Sequence, residues 1–268
     1  MRIATFNVNG IRAAHRRGFR GWLERWEPDV VALQEMRCPP EQVPAEAVDG
    51  YHLAYDPGTI AGRNGVAFLT RNAPQAVRLG FGNREFDPEG RYVEIDLPWL
   101  TVACLYLPKG GTLFEDAASQ AKYHRKMRFL ASFQHHLTRS RRTALRQGRE
   151  FLVLGDFNIA HTETDVNNAR AKHRMEGFLP EEREWFAGIL GTRRLVDVVR
   201  RLHPQAQGPY SWWSWRGRAW DNDSGWRIDY HLASPGLAAR AVSGGTHRDD
   251  SYDTRISDHA PVVVDYAD

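Results

Sequence analysis

The chain has 268 residues, of which 42% are hydrophobic and 26% are charged, a composition typical of a globular protein. No linker rich in Ser, Gly or Pro divides it, so we expect a single domain spanning residues 1–268. The net charge of +3 permits a polyanionic partner without requiring one. Cys38 and Cys104 are the only cysteines, which excludes a disulfide framework or a zinc knuckle.

The N-terminal segment Met1–Phe6 passes directly into a strand-like pattern and lacks the long apolar region of a signal peptide. No later apolar run is long enough to span a membrane. We therefore expect no membrane association and a location in the reducing cytoplasm.

In chain order, short β-branched runs alternate with amphipathic stretches. The predicted strands are Arg2–Val8, Asp29–Gln34, Tyr51–Tyr55, Gly65–Thr70, Ala76–Phe81, Tyr92–Leu97, Leu100–Leu107, Glu150–Leu154, Ser211–Trp215, Arg227–Ala233 and Ala260–Tyr266. The predicted helices are Arg16–Trp26, Phe114–Arg146, Pro180–Leu190 and Leu195–His203. So many strands exceed what one open sheet carries comfortably, which favours an α/β fold of two packed sheets covered by helices.

The segment from Phe151 to Leu154 is the most informative predicted strand because its apolar run leads into Gly155-Asp156-Phe157-Asn158. If the chain stays extended past Gly155, Asp156 and Asn158 point to one side and Phe157 to the other. A buried strand has no structural need for a polar pair at its tip. A site that handles a phosphate and a water molecule does.

Other predicted strands also end in, or begin after, polar side chains. These side chains are Asn7, Asn9, Glu35, Arg227, Asp229, Asp258 and His259. The ordinary alternatives are a turn cap for Asn7, an ion pair with Arg37 for Glu35, an ion pair with Arg227 for Asp229, and a turn for Asp258. The recurrence of polar side chains at several strand ends favours a catalytic site over these alternatives, because rigid scaffolds place catalytic groups at strand ends.

A cluster of carboxylates would be costly without a cation. The cluster would contain Glu35, Asp156, Asp229 and Asp258. Oxygen ligands, with no thiolate and a single candidate histidine, favour a hard ion such as Mg²⁺ over zinc.

The segment from Lys122 to Arg149 is basic and contains no acid. Its cations are Lys122, Arg125, Lys126, Arg128, Arg139, Arg141, Arg142, Arg146 and Arg149. Both a solvated helix face and a surface that faces phosphates fit this pattern.

An ordered set of motifs resembles the exonuclease III / class II abasic-site endonuclease family, within the endonuclease–exonuclease–phosphatase superfamily. The motifs are Phe6–Ala13, Leu33–Glu35, Leu105–Pro108, Gly155–His161, Phe178–Trp185, Trp226–Tyr230 and Ser257–Pro261. The resemblance implies a four-layer α/β sandwich, in which two mixed sheets pack face to face between helices. Met36 and Arg37 stand where Thr and Lys are common in the family, so we expect the charge to persist and the role of the hydroxyl to be lost or replaced.

The resemblance also implies a Mg²⁺ site, in which Mn²⁺ can substitute. Glu35 would be the main ligand, with Asn7 beside it and Asp258 nearby. A second metal position would involve Asp156, Asn158 and His259.

Five residues match catalytic positions of the family. Asp156 matches the residue that activates or orients the attacking water, and Asn158 matches a phosphate-binding amide. Tyr106 matches a tyrosine at the scissile phosphate. His259 matches a histidine that contacts the phosphate, either as a base or as a cationic clamp, and Asp229 matches its partner.

In the family, the region around Tyr210–Trp220 reaches the DNA minor groove and the pocket for a baseless sugar. Strand alternation would place Trp213 and Trp215 on one side and Trp212 on the other, so one side belongs to the core. We expect Trp212 or Trp213 to pack in the core. We expect DNA contacts from Trp215 and Arg216, and weaker phosphate contacts from Asn168, Arg170 and Lys172.

These features together predict a Mg²⁺-dependent DNA repair nuclease. Its substrates would be double-stranded DNA cut 5′ to abasic sites, and 3′ ends from which nucleotides or blocking groups are removed. We expect a monomer that associates with the nucleoid when on DNA. One alternative is a phosphatase or phospholipase of the same superfamily, and another is an inactive module that binds damaged DNA.

Overall fold

In the computed structural model, residues 1–267 are described, and within them the chain forms two six-stranded sheets. The strands are β1 (Arg2–Asn7), β2 (Val30–Gln34), β3 (His52–Asp56), β4 (Val66–Thr70), β5 (Ala76–Leu79), β6 (Tyr92–Asp96), β7 (Leu100–Tyr106), β8 (Glu150–Asp156), β9 (Val196–Asp197), β10 (Asp229–Ala233), β11 (Ala241–Thr246) and β12 (Val262–Tyr266). The helices are α1 (Ile11–Arg16), α2 (Phe19–Trp26), α3 (Ala45–Val48), α4 (Ala117–Arg146), α5 (Pro180–Ile189), α6 (Val198–Leu202) and α7 (Pro235–Ala239).

The first sheet has the strand order β11-β12-β1-β2-β4-β3, and the second has the order β5-β6-β7-β8-β10-β9. Their inner faces meet in one apolar core, where Ile3 and Val30 of the first sheet pack in the same cluster as Val102 and Leu154 of the second. Burying these faces removes apolar surface from water at about 25 cal/mol per Å², which holds the two sheets together.

Helices cover both outer faces. On the first sheet, Phe6 packs against Phe19 and Trp22 of α2, with ring centroids 6.1 Å and 5.6 Å apart. On the second sheet, Phe129 of α4 and Phe186 of α5 join one cluster. The result is the four-layer α/β sandwich expected from the sequence, and this prediction is confirmed.

Strand direction brings the polar strand ends to one edge of the sandwich. β1 runs parallel to β2, and β7 runs parallel to β8, so the C-terminal ends of each pair lie together. β10 runs antiparallel to β8 with Asp229 opposite Asp156, and β12 runs antiparallel to β1 with Val262 opposite Thr5. Asp229 and the residues that precede Val262 therefore enter at this same edge.

The predicted strand Ser211–Trp215 is wrong. Only Trp212 forms bridges there, to Trp226 and His259, because the tryptophans pack into separate small clusters and not along a pleat. The predicted helix Leu195–His203 is partly wrong, since its first residues form β9 and only Val198–Leu202 is helical.

Strand β11 was missed because its sequence Ala-Val-Ser-Gly-Gly-Thr contains two glycines, which lower strand propensity. It forms only as an edge strand that pairs with β12. Helix α1 was also missed, because its six residues are too few to give a recognisable helical periodicity.

The basic segment is the long helix α4, and its cations have different environments. Arg125 and Arg128 pair with Glu85, and Lys126 is buried against Glu182. Farther along the helix Arg139, Arg142 and Arg146 are exposed. Within residues 1–267, neither α4 nor another helix is long and apolar enough to cross a lipid bilayer.

A buried histidine joins the two sheets. The Val262 carbonyl can only accept, so Nε2 of His231 carries the proton and donates to it at 3.2 Å, while Nδ1 accepts from the Tyr266 hydroxyl at 3.3 Å. Both partners are then satisfied by the neutral ring. Burial lowers the pKa of His231 to about 4.

This shift predicts acid sensitivity. Between the ordinary pKa of 6.5 and about 4, the unfolded chain binds a proton that the folded chain excludes, so stability falls as the pH falls through this window. The shift corresponds to about 3 kcal/mol of unfolding free energy. Chemical denaturation of wild type and His231→Gln across the window should show a smaller fall in the variant. Exposed His52→Gln is the control, and equal pH dependence in wild type and His231→Gln would contradict this assignment.

Candidate active site

Residues with unusual backbone conformations lie in and beside a cavity at the common edge, and Glu35 and Asn158 are among those that line it. Asn9, Glu35 and Asn158 have left-handed φ values of 48°, 55° and 48°. Such conformations cost about 1 kcal/mol or more for residues with a Cβ, and they persist where surrounding structure enforces them. The cavity has a volume of about 470 Å³, and Glu35, Asp156 and His259 are among the residues that line it.

Asn7 connects the carboxylates of the two sheets. Its Nδ2 donates to Glu35 Oε1 at 3.0 Å and to Asp156 Oδ2 at 2.9 Å. Its Oδ1 accepts from the Asn9 backbone N–H at 3.1 Å. Asn7 thus turns donors toward the acids, and it could act as the predicted metal ligand only after its carboxamide rotates.

Glu35 lies between a phenol and a guanidinium. Tyr106 Oη donates to Glu35 Oε1 at 2.7 Å, and the Arg37 guanidinium contacts Glu35 Oε2. The ion pair with Arg37, considered from the sequence as an alternative, is therefore present within the site. Burial, followed by the charge of Glu35, raises the pKa of Tyr106 well above its ordinary value, so the phenol stays neutral and remains a donor.

The tip of β8 departs from the predicted extended path. Gly155 must be glycine, because its φ is 136° and a Cβ would lie 2.0 Å from the Leu105 carbonyl oxygen. After it the chain turns, and the Asn158 backbone N–H donates to Asp156 Oδ1 at 2.8 Å. Asn158 Nδ2 donates to the Leu107 carbonyl at 2.9 Å and to Asp156 Oδ2 at 3.2 Å. Both polar side chains line the cavity as expected, by a turn and not by strand alternation.

A buried chain of charges links Asp229, His259 and Asp156. His259 Nδ1 lies 2.8 Å from Asp229 Oδ2, and His259 Nε2 lies 3.7 Å from Asp156 Oδ2. Burial disfavours the imidazolium, but the Asp229 carboxylate outweighs this and raises the pKa of His259 to about 10. Burial also raises the pKa of Asp156 to about 7, an effect that Asp229 reinforces and His259 opposes.

Asp258 lies on the cavity wall beside this chain. Asn9 Nδ2 donates to its Oδ1 at 2.8 Å, and Trp212 Nε1 donates to its Oδ2 at 3.0 Å. These two donors fix the carboxylate. Trp212 is therefore part of the cavity wall, whereas Trp213 is buried and packs against Trp220.

The oxygen donors fit a hard divalent cation. Glu35, Asp156 and Asp258 line one cavity, and the described residues offer no thiolate there. Asp229 Oδ1 is buried and has no hydrogen-bond partner, so it is an unsatisfied acceptor beside these carboxylates. The tightest donor group is Asp156, Asp229 and His259, within 4.8 Å of one another, but the proton on His259 opposes ligation by its ring.

Of the residues predicted to contact DNA, one lines the cavity and the others lie outside it. Lys172 lines the cavity, whereas Asn168 and Arg170 are exposed outside it. Arg216 is also exposed. Trp215 lies outside the cavity and stacks on Arg255, whose guanidinium carbon is 3.6 Å from the ring centroid.

Two supports of the site were missed from the sequence. Ser211 Oγ donates to Asp229 Oδ2 at 2.6 Å, so the oxygen that binds His259 has a second hydrogen-bond partner. Lys126 Nζ donates to the carbonyls of Lys109 and Asn158 at 3.0 Å and 2.9 Å, and it pairs with Glu182 at 2.6 Å. Only the Leu-Pro-Glu-Glu start of α5, a capping pattern, could have pointed to Glu182.

The alternative that Asp229 pairs with Arg227 is wrong. The Arg227 guanidinium binds Asp165 and Asp197, each at 2.7 Å. Arg227 and Asp229 therefore belong to separate polar clusters, and Asp229 is free to hold His259.

Known proteins are similar to this chain in sequence and in fold. The sequence model of the endonuclease/exonuclease/phosphatase family matches residues 4–259, and the chain belongs to this family. It is 32% identical to exodeoxyribonuclease III of Haemophilus influenzae, over 99% of this chain and 100% of that protein.

Solved structures of nucleases and a 3′ phosphatase are similar to this chain over nearly its whole length. An AP endonuclease from Archaeoglobus fulgidus superposes with a TM-score of 0.87 at 28% identity, covering 99% of each chain. A 3′ phosphatase from Neisseria, bound to a product DNA hairpin, also gives 0.87 at 28% identity, covering 100% of this chain and 99% of that one. The family resemblance seen in the motifs is confirmed.

The buried Lys126–Glu182 pair predicts a strong dependence on both partners. Lys126→Met should lower the free energy of unfolding by about 3–5 kcal/mol, because Glu182 is left buried without its cation. The double variant Lys126→Met/Glu182→Leu should recover much of this loss, since both charges are removed together. Denaturant unfolding measures both, with exposed Lys122→Met of the same helix as the control. A Lys126→Met protein as stable as wild type would contradict this reading.

Proposed function

We propose that the protein is a Mg²⁺-dependent DNA repair nuclease that hydrolyses the phosphodiester bond 5′ to abasic sites. It also removes nucleotides and blocking groups from 3′ ends. The observation that carries the proposal is the cavity where a buried imidazolium, the Asn158 amide and several carboxylates converge. This is the set of groups that phosphodiester hydrolysis needs, namely a base for water and positive charge for the phosphoryl oxygens.

Asp156 is the proposed general base. A pKa of about 7 allows the carboxylate to accept a proton near neutral pH and still be ionised in much of the protein. The two donors that bind it, Asn7 and Asn158, fix its orientation. It would remove a proton from water, or orient that water, for attack on phosphorus.

His259 and Asn158 are the proposed phosphate-binding groups, and Asn158 would exchange its present hydrogen bond to Asp156 for one to the phosphate. The charge on His259 is maintained by Asp229, so the ring offers a fixed donor to the developing negative charge. This favours the clamp over the base among the two roles considered for His259. Tyr106, neutral and at the cavity wall, would supply a further donor if its hydroxyl turned away from Glu35 Oε1, to which it now donates.

Glu35 and Asp258 are the proposed metal-holding carboxylates, with Asn7 as a ligand if its carboxamide turns. Mg²⁺, when bound, supplies positive charge to the phosphoryl oxygens without proton transfer. The carboxylate oxygens suit Mg²⁺, and Mn²⁺ as a substitute, better than softer metals.

DNA is the proposed partner because relatives of this chain are nucleases and one structural neighbour holds a DNA hairpin. The apolar part of the cavity wall, which includes Trp212, Trp226 and Ile228, suits a sugar that lacks a base. We propose that the chain, as a single domain, acts as a monomer, and that Asn168, Arg170, Trp215 and Arg216 contact DNA outside the cavity.

The test is cleavage of duplex DNA that carries a tetrahydrofuran abasic-site analogue. Wild type with Mg²⁺ should nick the strand 5′ to the analogue, and EDTA should abolish nicking. Asp156→Asn should reduce turnover by about 100-fold or more while DNA affinity stays within about threefold, because the base is lost but the binding groups remain. Exposed Asp250→Asn is the matched control. An Asp156→Asn protein that cuts as fast as wild type would contradict the proposal.

A further inference from the structure

Two lysines line the cavity, and their environments differ. Lys109 is exposed and forms an ion pair with Glu176 at 3.3 Å. Lys172 is half-buried, and its Nζ lies 4.8 Å from the centroid of the Trp226 ring. Among residues 1–267, the Lys172 ammonium has neither an acidic partner nor a hydrogen bond. Lys172 is thus the cavity amine whose reactivity is not restrained by a carboxylate.

The position of Lys172 places it among the groups suited to a baseless sugar. Met175, Trp226 and Ile228 form apolar wall near it, and Asp156 and His259 line the same cavity. A volume of about 470 Å³ is large enough for a deoxyribose with an adjoining phosphate. An abasic deoxyribose in equilibrium with its open form carries an aldehyde at C1′, and lysine amines form imines with such carbonyl groups.

We propose that this cavity has a second activity, which rests on the proposed function. Lys172 forms an imine with the C1′ aldehyde of an abasic site and cleaves the strand on its 3′ side by β-elimination. Metal-dependent hydrolysis would break the bond on the 5′ side of the same sugar. The two activities therefore leave different ends and can be told apart.

The steps balance without an added oxidant or reductant. Lys172 Nζ attacks C1′, and the carbonyl oxygen leaves as water. A solvent base removes a proton from C2′, that electron pair forms the C2′=C3′ double bond, and the C3′–O3′ bond breaks. The strand with a 5′-phosphate leaves with the electrons of the broken bond. Water then hydrolyses the imine, which restores the amine and leaves an unsaturated aldehyde on the 3′ end.

Two features of the Lys172 surroundings favour the neutral amine, and they oppose the cation–π contact with Trp226, which favours the ammonium. Burial lowers the pKa of Lys172 from its ordinary value, which increases the neutral, nucleophilic fraction at a given pH. The absence of an acidic partner also favours the neutral amine, since a carboxylate would stabilise the ammonium. For Lys109, Glu176 opposes loss of the proton.

Trapping with sodium cyanoborohydride tests the proposal. Wild type is incubated in EDTA with a duplex that contains a natural abasic site, and the reductant converts an imine into a stable protein–DNA cross-link. We expect a cross-link that peptide mapping locates on Lys172. Lys172→Arg, which keeps the charge but has no primary amine, should lose roughly tenfold or more of it. Lys109→Arg should cross-link within about twofold of wild type, because its amine is the paired one.

A tetrahydrofuran site separates this proposal from the proposed function. It lacks the aldehyde, so wild type should nick it with Mg²⁺ but should not cross-link to it. Absence of cross-linking to the natural site, or equal cross-linking by Lys172→Arg, would overturn the imine proposal while nicking of the analogue still supports the nuclease. Loss of nicking of the analogue, with cross-linking retained, would instead overturn the nuclease proposal alone.

Discussion

Three polar contacts cross between the sheets at the edge where the cavity opens, and the arrangement of the site depends on them. Asn7 of the first sheet donates to Asp156 of the second. Tyr106 of the second sheet donates to Glu35, which follows β2 of the first. His259, which precedes β12 of the first sheet, is bound to Asp229 of β10. A shift of one sheet against the other would break all three contacts, so the packed apolar core also sets the geometry of the chemistry.

These contacts bring the charged side chains of Asp156, Asp229 and His259 together in the protein interior. Asp156 and Asp229 are each 1% exposed, a situation that would be strongly unfavourable for two unpaired carboxylates. The imidazolium of His259 lies between them and offsets much of this cost. A cation bound beside Glu35 and Asp258 would offset more of this cost and would thereby stabilise the folded state.

The apolar runs made most of the sandwich predictable, since strands such as Glu150–Asp156 and helices such as α4 follow simple periodic rules. The polar strand ends were also visible because a core disfavours them. Local turn geometry and pairing between residues distant in sequence could not be predicted. The left-handed turn at Asn158, the move of Trp212 into the cavity wall and the Lys126–Glu182 pair all depend on neighbours distant in sequence. Asp229 shows the same limit, because sequence proximity favours a pair with Arg227, whereas Arg227 binds Asp165 and Asp197.

We infer that Asp229 and Asp156 keep His259 protonated at neutral pH. The direct measurement is a ¹⁵N NMR titration of the His259 ring in the metal-free protein. We predict that both ring nitrogens remain protonated from neutral pH up to about pH 9, because the pKa of His259 is raised to about 10. Asp229→Asn should move the titration to much lower pH. A wild-type ring that titrates near the ordinary value of 6.5 would contradict the account.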